Sequence, residues 1–178
     1  MRDQRSYFEK ADFQSNLPLQ FLAAAVGIML VLLELSLAQW SVFYGAAPNL
    51  SLIFIYYMMI YHDKLLPILS IFMVGIIGDF LLSDILGGRA TALMLLVYLM
   101  QLRLLRLQQC DFGELWVDFV VSCGFVLIFQ LTLFSLLNMT IPSLSPVLFQ
   151  FGANLILFPL GFVIIFAVHQ LMQKIKIV

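Results

Sequence analysis

Four polar side chains interrupt long apolar runs in this sequence. They are the carboxylates of Glu34 and Asp79 and the carboxamides of Gln130 and Asn154. A polar group that must lie in lipid is costly, so each residue indicates either a function or a partner inside the protein. These four are the first candidates for chemistry in this chain.

Enzymatic interpretations of these residues fail on spacing. Asp79 follows Gly78, as in the Gly-x-Gly-Asp motif of intramembrane aspartyl proteases, but isoleucine replaces the first glycine of that motif. The chemistry also needs a second aspartate close enough to share a proton, and Asp118 is expected at the opposite membrane surface. His62 and His169 lack the further ligands that a zinc site would need. No catalytic residue, metal or cofactor is predicted.

The composition excludes a water-soluble globule. Of 178 residues, 63% are hydrophobic and 11% are charged, and the mean hydropathy is +1.05. A soluble domain has about 45–50% apolar and about 25% charged residues. Nine basic and ten acidic side chains give a net charge of −1, which removes the electropositive face that nucleic-acid binding requires.

Six apolar runs are candidates to cross a hydrocarbon layer of about 30 Å, which takes about 20 helical residues. They are residues 17–40, 49–61, 65–82, 91–107, 115–137 and 146–169. The second run reaches this length only if residues 42–48 contribute, with Pro48 in the first helical turn. We predict an all-α integral membrane protein, a six-transmembrane-helix bundle over residues 17–170, with tails at 1–16 and 171–178.

Basic residues set the orientation of this bundle. If six spans alternate, eight of the nine Lys and Arg residues share one side and Arg89 alone lies on the other. The positive-inside rule then places both termini in the cytoplasm.

This topology places Glu34 and Asn154 about two turns, and Asp79 about one turn, below the outer surface. We predict a polar cluster in the outer half of the bundle, with Asp84 and Arg89 above it. The alternative is that Asp79 pairs with Arg89 or caps the fourth helix, while Glu34 reaches headgroup water.

Glycines bracket Asp79. Gly75 and Gly78 lie on one helical face, where the missing side chains allow another helix to approach closely. Gly87 and Gly88 predict a tight outer turn. Packing between helices is the favoured role of all four.

Several of these motifs resemble the rod shape-determining protein MreD family. The resemblance covers most of the chain and rests on Pro48-Asn49-Leu-Ser-Leu-Ile-Phe, Tyr57, the stretch from Gly75 to Asp79, Gly87, Tyr98-Leu99, and the pair Asn154 and Pro159. One departure is Ser83, which stands where the family usually has a glycine, with Asp84 next to it.

The resemblance implies a non-catalytic scaffold in the bacterial inner membrane that belongs to the cell-elongation machinery and helps regulate peptidoglycan synthesis. Its implied partner is MreC and, through it, the penicillin-binding transpeptidase, RodA and MreB. The implied fold is similar to the substrate-binding subunits of energy-coupling-factor transporters. We expect an outer groove to receive the transmembrane helix of MreC, with small residues allowing close approach and Asp79 or Asn154 donating or accepting hydrogen bonds.

The alternative function is a vitamin-binding subunit of such a transporter, with the polar cluster as its ligand pocket. It predicts a water-filled outer cavity lined by several polar and aromatic groups. Few polar side chains are expected there, and outer loops such as residues 138–145 are short. The sequence therefore favours the scaffold, with membrane lipid around it and no small-molecule substrate.

Overall fold

The computed structural model describes the backbone of residues 2–40, 47–61, 66–82, 86–139 and 144–175, and the side chains of residues 19–40, 47–61, 66–82, 86–139 and 144–163. This part of the chain is all-helical, as predicted. The helices are α1 (Arg2–Ala38), α2 (Leu50–Tyr61), α3 (Ile68–Leu81), α4 (Gly88–Gln101), α5 (Leu104–Leu107), α6 (Phe112–Asn138) and α7 (Leu144–Ile175).

Three helical segments of the described chain are long and apolar enough to cross a membrane. They are Leu19–Ala38 in α1, Phe112–Asn138, which is the whole of α6, and Leu144–Val163 in α7. Helix α2 has 12 residues and is about 18 Å long. Helices α3 and α4 have 14 residues each and are about 21 Å long. The three long segments indicate a membrane protein.

The start of the second helix differs from the prediction. Residues 47–49 are not helical and α2 begins at Leu50, so Pro48 does not lie in a helical turn. Side chains from α7 bind the backbone of this segment. Asn154 Oδ1 accepts a hydrogen bond from the backbone N–H of Asn49 at 2.7 Å, and Gln150 donates one to the carbonyl of Ala47 at 3.1 Å.

The fourth apolar run is not one continuous helix, contrary to the prediction. Helix α4 ends at Gln101, and α5 begins at Leu104 after a turn in which the N–H of Arg103 donates to the carbonyl of Met100 at 2.9 Å. The guanidinium of Arg103 contacts Asp118 on α6 at 2.8 Å. The turn therefore lies where a side chain of this run is bound to a neighbouring helix.

The terminal helices extend beyond the predicted spans. Helix α1 starts at Arg2, so residues 2–16 of the predicted tail are helical, and α7 continues to Ile175. Pro159 lies inside α7.

Helix α2 occupies the centre of the bundle. Ten of its residues, Ser51 to Ile60, are buried, as expected of a helix that is apolar on every side. It packs against α1, α4 and α7, while α3 joins α1 to α4 and α6 joins α4 to α7. The rings of Phe119 on α6 and Phe158 on α7 stack with their centroids 4.1 Å apart, and the ring of Tyr56 on α2 contacts both of them edge-on.

Helices α1, α2, α3, α4, α6 and α7 alternate in direction along the chain. Contacts bring together the ends of α1, α3 and α6 with the starts of α2, α4 and α7. We call this the polar end of the bundle, because it holds Glu34, Asp79, Arg89 and Asn154. At the opposite end, Tyr61 of α2 meets Phe162 of α7, and Arg103 meets Asp118.

Candidate functional site

Asp79 caps the start of α4. Its Oδ2 accepts a hydrogen bond from the N–H of Gly87 at 2.8 Å, and its Oδ1 accepts one from the N–H of Arg89 at 2.9 Å. The N–H of Ala90 lies 3.4 Å from Oδ2. Gly87 turns the chain into α4 with φ +87°, a conformation that favours glycine. A carboxylate at a helix N-terminus satisfies unpaired N–H groups and complements the helix dipole.

The carboxylate of Glu34 forms a buried ion pair with Arg89. Arg89 Nη2 donates to Glu34 Oε2, and the two side chains are 6% and 1% exposed. The second oxygen of Glu34 accepts from the N–H of Ser51 at 2.6 Å. Glu34 therefore does not reach headgroup water, and the ion pair of Arg89 is with Glu34, not Asp79. The sequence of α1 does not indicate this partner, because Arg89 lies at the start of α4, 55 residues further along the chain.

Two carboxamides extend this arrangement toward α7. Asn49 Oδ1 accepts from Arg89 Nη2 at 2.7 Å and from Gln150 Nε2 at 3.1 Å. Asn154, fully buried, accepts from the N–H of Asn49, and its Nδ2 lies 3.5 Å from Cys123 Sγ. We define the polar network as Glu34, Asn49, Asp79, Arg89, Gln150 and Asn154. The structure thus brings Glu34, Asp79 and Asn154 together with Arg89, whereas it describes nothing of Asp84.

The glycines near Asp79 pack against α4. A Cβ on Gly75 would lie 2.5 Å from Ala90 Cα, and one on Gly78 would lie 2.9 Å from Arg89 Cδ. The close approach of α3 and α4 brings Arg89 within contact of Glu34. These glycines serve contacts within the chain, which is the packing role that the sequence favours, so they are not available to a partner helix.

The remaining predicted site residues lie beside the network. Pro48 precedes Asn49 in the non-helical segment before α2, and Gly88 is the first residue of α4. Pro159 lies one turn and a half beyond Asn154 in α7. The side chains of His62 and His169 fall outside the described residues. Among the described residues, no group of three or more His, Cys, Asp or Glu side chains could hold a metal ion.

A cavity of about 400 Å³ opens at the polar end. Its polar lining comes from Glu34, Gln39, Asn49, Asp79, Arg89, Gln130 and Gln150, and its apolar lining includes Leu35, Leu127, Leu131, Phe134 and Val147. Central helix α2 contributes no residue to the cavity lining, which on this side comes from Ala47 and Asn49 just before its start. More polar side chains line this region than the sequence led us to expect.

A second network, at the opposite end, was missed by sequence reasoning. Asp118 Oδ2 accepts from the hydroxyl of Tyr56 at 3.1 Å, and Asp118 Oδ1 contacts Arg103 at 2.8 Å. Tyr56 is fully buried and its hydroxyl also lies 3.2 Å from the carbonyl of Leu115. The sequence does show an aspartate one turn inside an apolar run, which indicates a buried polar contact. It does not indicate which residues make that contact. Asp118 and Asp79 lie at opposite ends of the bundle and do not form a dyad.

No protein-family model, curated protein or solved structure matches this chain. Asn49, Asp79 and Asn154, three residues of the motifs described in the sequence analysis, lie in the polar network, and Gly75 packs beside it.

Proposed function

We propose that this chain is a non-catalytic scaffold of the bacterial cell-elongation machinery, which binds MreC in the inner membrane and so helps regulate peptidoglycan synthesis. In this proposal the chain crosses the membrane six times with both termini in the cytoplasm. RodA, the penicillin-binding transpeptidase and MreB are reached through MreC. The polar end of the bundle faces outward.

One observation carries the proposal. The motif residues on which the family resemblance rests are far apart in sequence, yet Asn49 and Asn154, 105 residues apart, bond to each other. Asp79 joins them through Arg89, whose backbone it binds and whose side chain reaches Asn49. The resemblance therefore concerns one physical feature, a buried network that fixes how five helices meet, as suits a scaffold.

The proposed docking of MreC has to be revised. Asp79 and Asn154 are fully buried and use their oxygens inside the chain, so neither offers a hydrogen bond to a partner helix. Binding energy then comes from the outer apolar faces. One such face on α6 is exposed and carries Val117, Val121, Phe125 and Ile128.

Complementation and co-purification test the scaffold proposal. The chain is expressed in a rod-shaped bacterium depleted of its own MreD, together with the MreC encoded in the source organism. We expect rod shape to return and MreC to co-purify in mild detergent. A polytopic protein of similar size serves as the control. Normal membrane insertion without recovery of MreC and without rescue of shape would overturn the proposal.

A second candidate function is favoured by the cavity. Its volume of about 400 Å³ lies in the range of small-molecule sites, about 300–1,000 Å³. In this alternative the chain is the ligand-binding subunit of an energy-coupling-factor type transporter. Native mass spectrometry of the purified protein tests it, because a stoichiometric small molecule that survives purification would support this function over the scaffold.

A further inference from the structure

The polar groups of the cavity at the polar end divide into two sets. The carboxylates are engaged inside the protein: both oxygens of Glu34 and both oxygens of Asp79 accept hydrogen bonds. The carboxamides are not all engaged. Among the described residues, the amides of Gln39 and Gln130 and the Nδ2 of Asn49 have no hydrogen-bond partner, and Gln150 uses only its Nε2.

Gln130 is the most informative of these. It lies in the apolar helix α6, is half-buried, and faces the cavity beside Leu127 and Leu131. A polar side chain in an apolar membrane helix indicates either a function or a partner. Since Gln130 has no partner among the described residues, its amide is free to bond a molecule in the cavity.

Charge decides which ligands fit. The cavity lining holds two carboxylates, Glu34 and Asp79, and one guanidinium, Arg89. Its formal charge is therefore −1, which opposes an anion. The guanidinium of Arg89 is paired with Glu34 through its Nη2, and the carboxamides that line the cavity are neutral, which suits a neutral hydrogen-bonding group. The α6 wall beside Gln130, with Leu131 and Phe134, suits a hydrocarbon part.

We propose that this cavity binds one uncharged amphiphilic molecule, whose amide or hydroxyl group bonds Gln130 and Asn49 and whose apolar part packs on α6. The inference deepens the second candidate function by naming the ligand class. It does not depend on MreC, so loss of MreC binding leaves it standing.

Three probes with the same eight-carbon body test the ligand class. Labelled octanamide, octanoate and octylammonium are dialysed to equilibrium against the full-length protein in lipid nanodiscs, and binding to empty nanodiscs is subtracted. We expect saturable binding of about one octanamide per chain. Octanoate shows no saturable excess, and octylammonium binds more weakly than octanamide.

Variants locate the binding. Gln130→Leu removes the amide and weakens octanamide binding about three- to tenfold, the value of one hydrogen bond in lipid. Thr132→Val removes a hydroxyl from the exposed side of the same helix, where it bonds the carbonyl of Ile128, and leaves binding unchanged. Leu131→Trp fills the cavity and abolishes binding, which keeps the test open if Gln130→Leu does not insert.

Three results would overturn the inference: no saturable octanamide, octanoate binding as well as octanamide, or equal binding by wild type, Gln130→Leu and Leu131→Trp. A vitamin-like ligand detected by mass spectrometry together with any of these results would leave the second candidate function intact. The failure of the ligand class is thereby distinguished from the failure of that function.

Discussion

The guanidinium of Arg89 and the carboxylate of Glu34 form an ion pair that is removed from solvent at one end of an apolar helix bundle. Asn49 accepts a further hydrogen bond from Arg89, and the N–H of Ser51 donates one to Glu34. Such a pair is weak evidence for net stability, because desolvation offsets the attraction, but removing one partner leaves a buried charge.

We therefore expect Arg89→Met and Glu34→Gln each to lower the free energy of unfolding by about 3–5 kcal/mol. The double variant should lose less than the sum of the two, because neither charge is then left alone. The measurement is unfolding by SDS titration in mixed micelles.

The Arg103–Asp118 pair provides the control for this experiment. Its arginine is 39% exposed, so Arg103→Gln should cost no more than about 1 kcal/mol. Equal effects of Arg89→Met and Arg103→Gln would contradict a buried role for the first pair.

The cap on α4 makes a separate prediction for Asp79. Asp79→Asn keeps the size of the side chain but loses one acceptor and the charge, so it should destabilise the protein by about 0.5–2 kcal/mol. Asp111 is the matched control, because it occupies the N-cap of α6 without a side-chain hydrogen bond to it. Thermal unfolding in detergent should shift for Asp79→Asn and not for Asp111→Asn.

Helix packing makes a third prediction at Gly75. Its added Cβ would lie 2.5 Å from the backbone of Ala90, so Gly75→Ala should push α3 and α4 apart and lower the thermal midpoint. The closest contact is with the backbone of Ala90, whose atoms cannot move aside cheaply. Adding Ala90→Gly to the Gly75→Ala variant should therefore restore only part of the lost thermal midpoint. Gly152→Ala is the control: nothing lies within 4 Å of its Cβ, so it should be neutral or slightly stabilising. A loss at Gly152 as large as at Gly75 would contradict this packing.

Hydrophobic patterning was sufficient to predict an all-helical membrane protein and the meeting of Glu34, Asp79 and Asn154. If successive spans alternate in direction, counting along each helix gives the depth of a residue, so residues at similar depth can be identified without a structure. Counting along a helix does not reveal which residue of a neighbouring helix each of these side chains contacts. That Arg89 bonds Glu34 depends on how Gly75 and Gly78 bring α4 against α3.

The non-helical segment before α2 was harder to predict. Pro48 is acceptable in a first helical turn, and local sequence cannot exclude it. The segment is not helical because Asn154 and Gln150, about 100 residues later, bind its backbone groups. The break between α4 and α5 is similar, because Arg103 is bound to Asp118 of α6. Both errors arise from tertiary hydrogen bonds that override local helix preference.

The two native cysteines allow a test of the proposed orientation. Cys110 lies between α5 and α6 and is partly exposed, whereas Cys123 is buried. If both termini are cytoplasmic, a membrane-impermeant maleimide should label Cys110 in inside-out vesicles and leave it unlabelled in intact spheroplasts. Cys110→Ser should abolish labelling, which shows that Cys123 does not react. Labelling of Cys110 in intact spheroplasts would show that the orientation is the opposite of the proposed one, with the polar end in the cytoplasm.

The pH dependence of this labelling gives a fifth prediction. Hydrogen bonding to the carboxylate of Glu114 raises the pKa of the Cys110 thiol, with Arg106 acting in the opposite direction. A raised pKa leaves less thiolate at a given pH, and the thiolate is the reactive form. Wild type should therefore be labelled more slowly at pH 8 than Glu114→Gln, in which the neutral amide no longer favours the protonated thiol. The two rates should converge above the raised pKa, where both thiols are ionised, and a rate difference that persists there would indicate steric access as its cause.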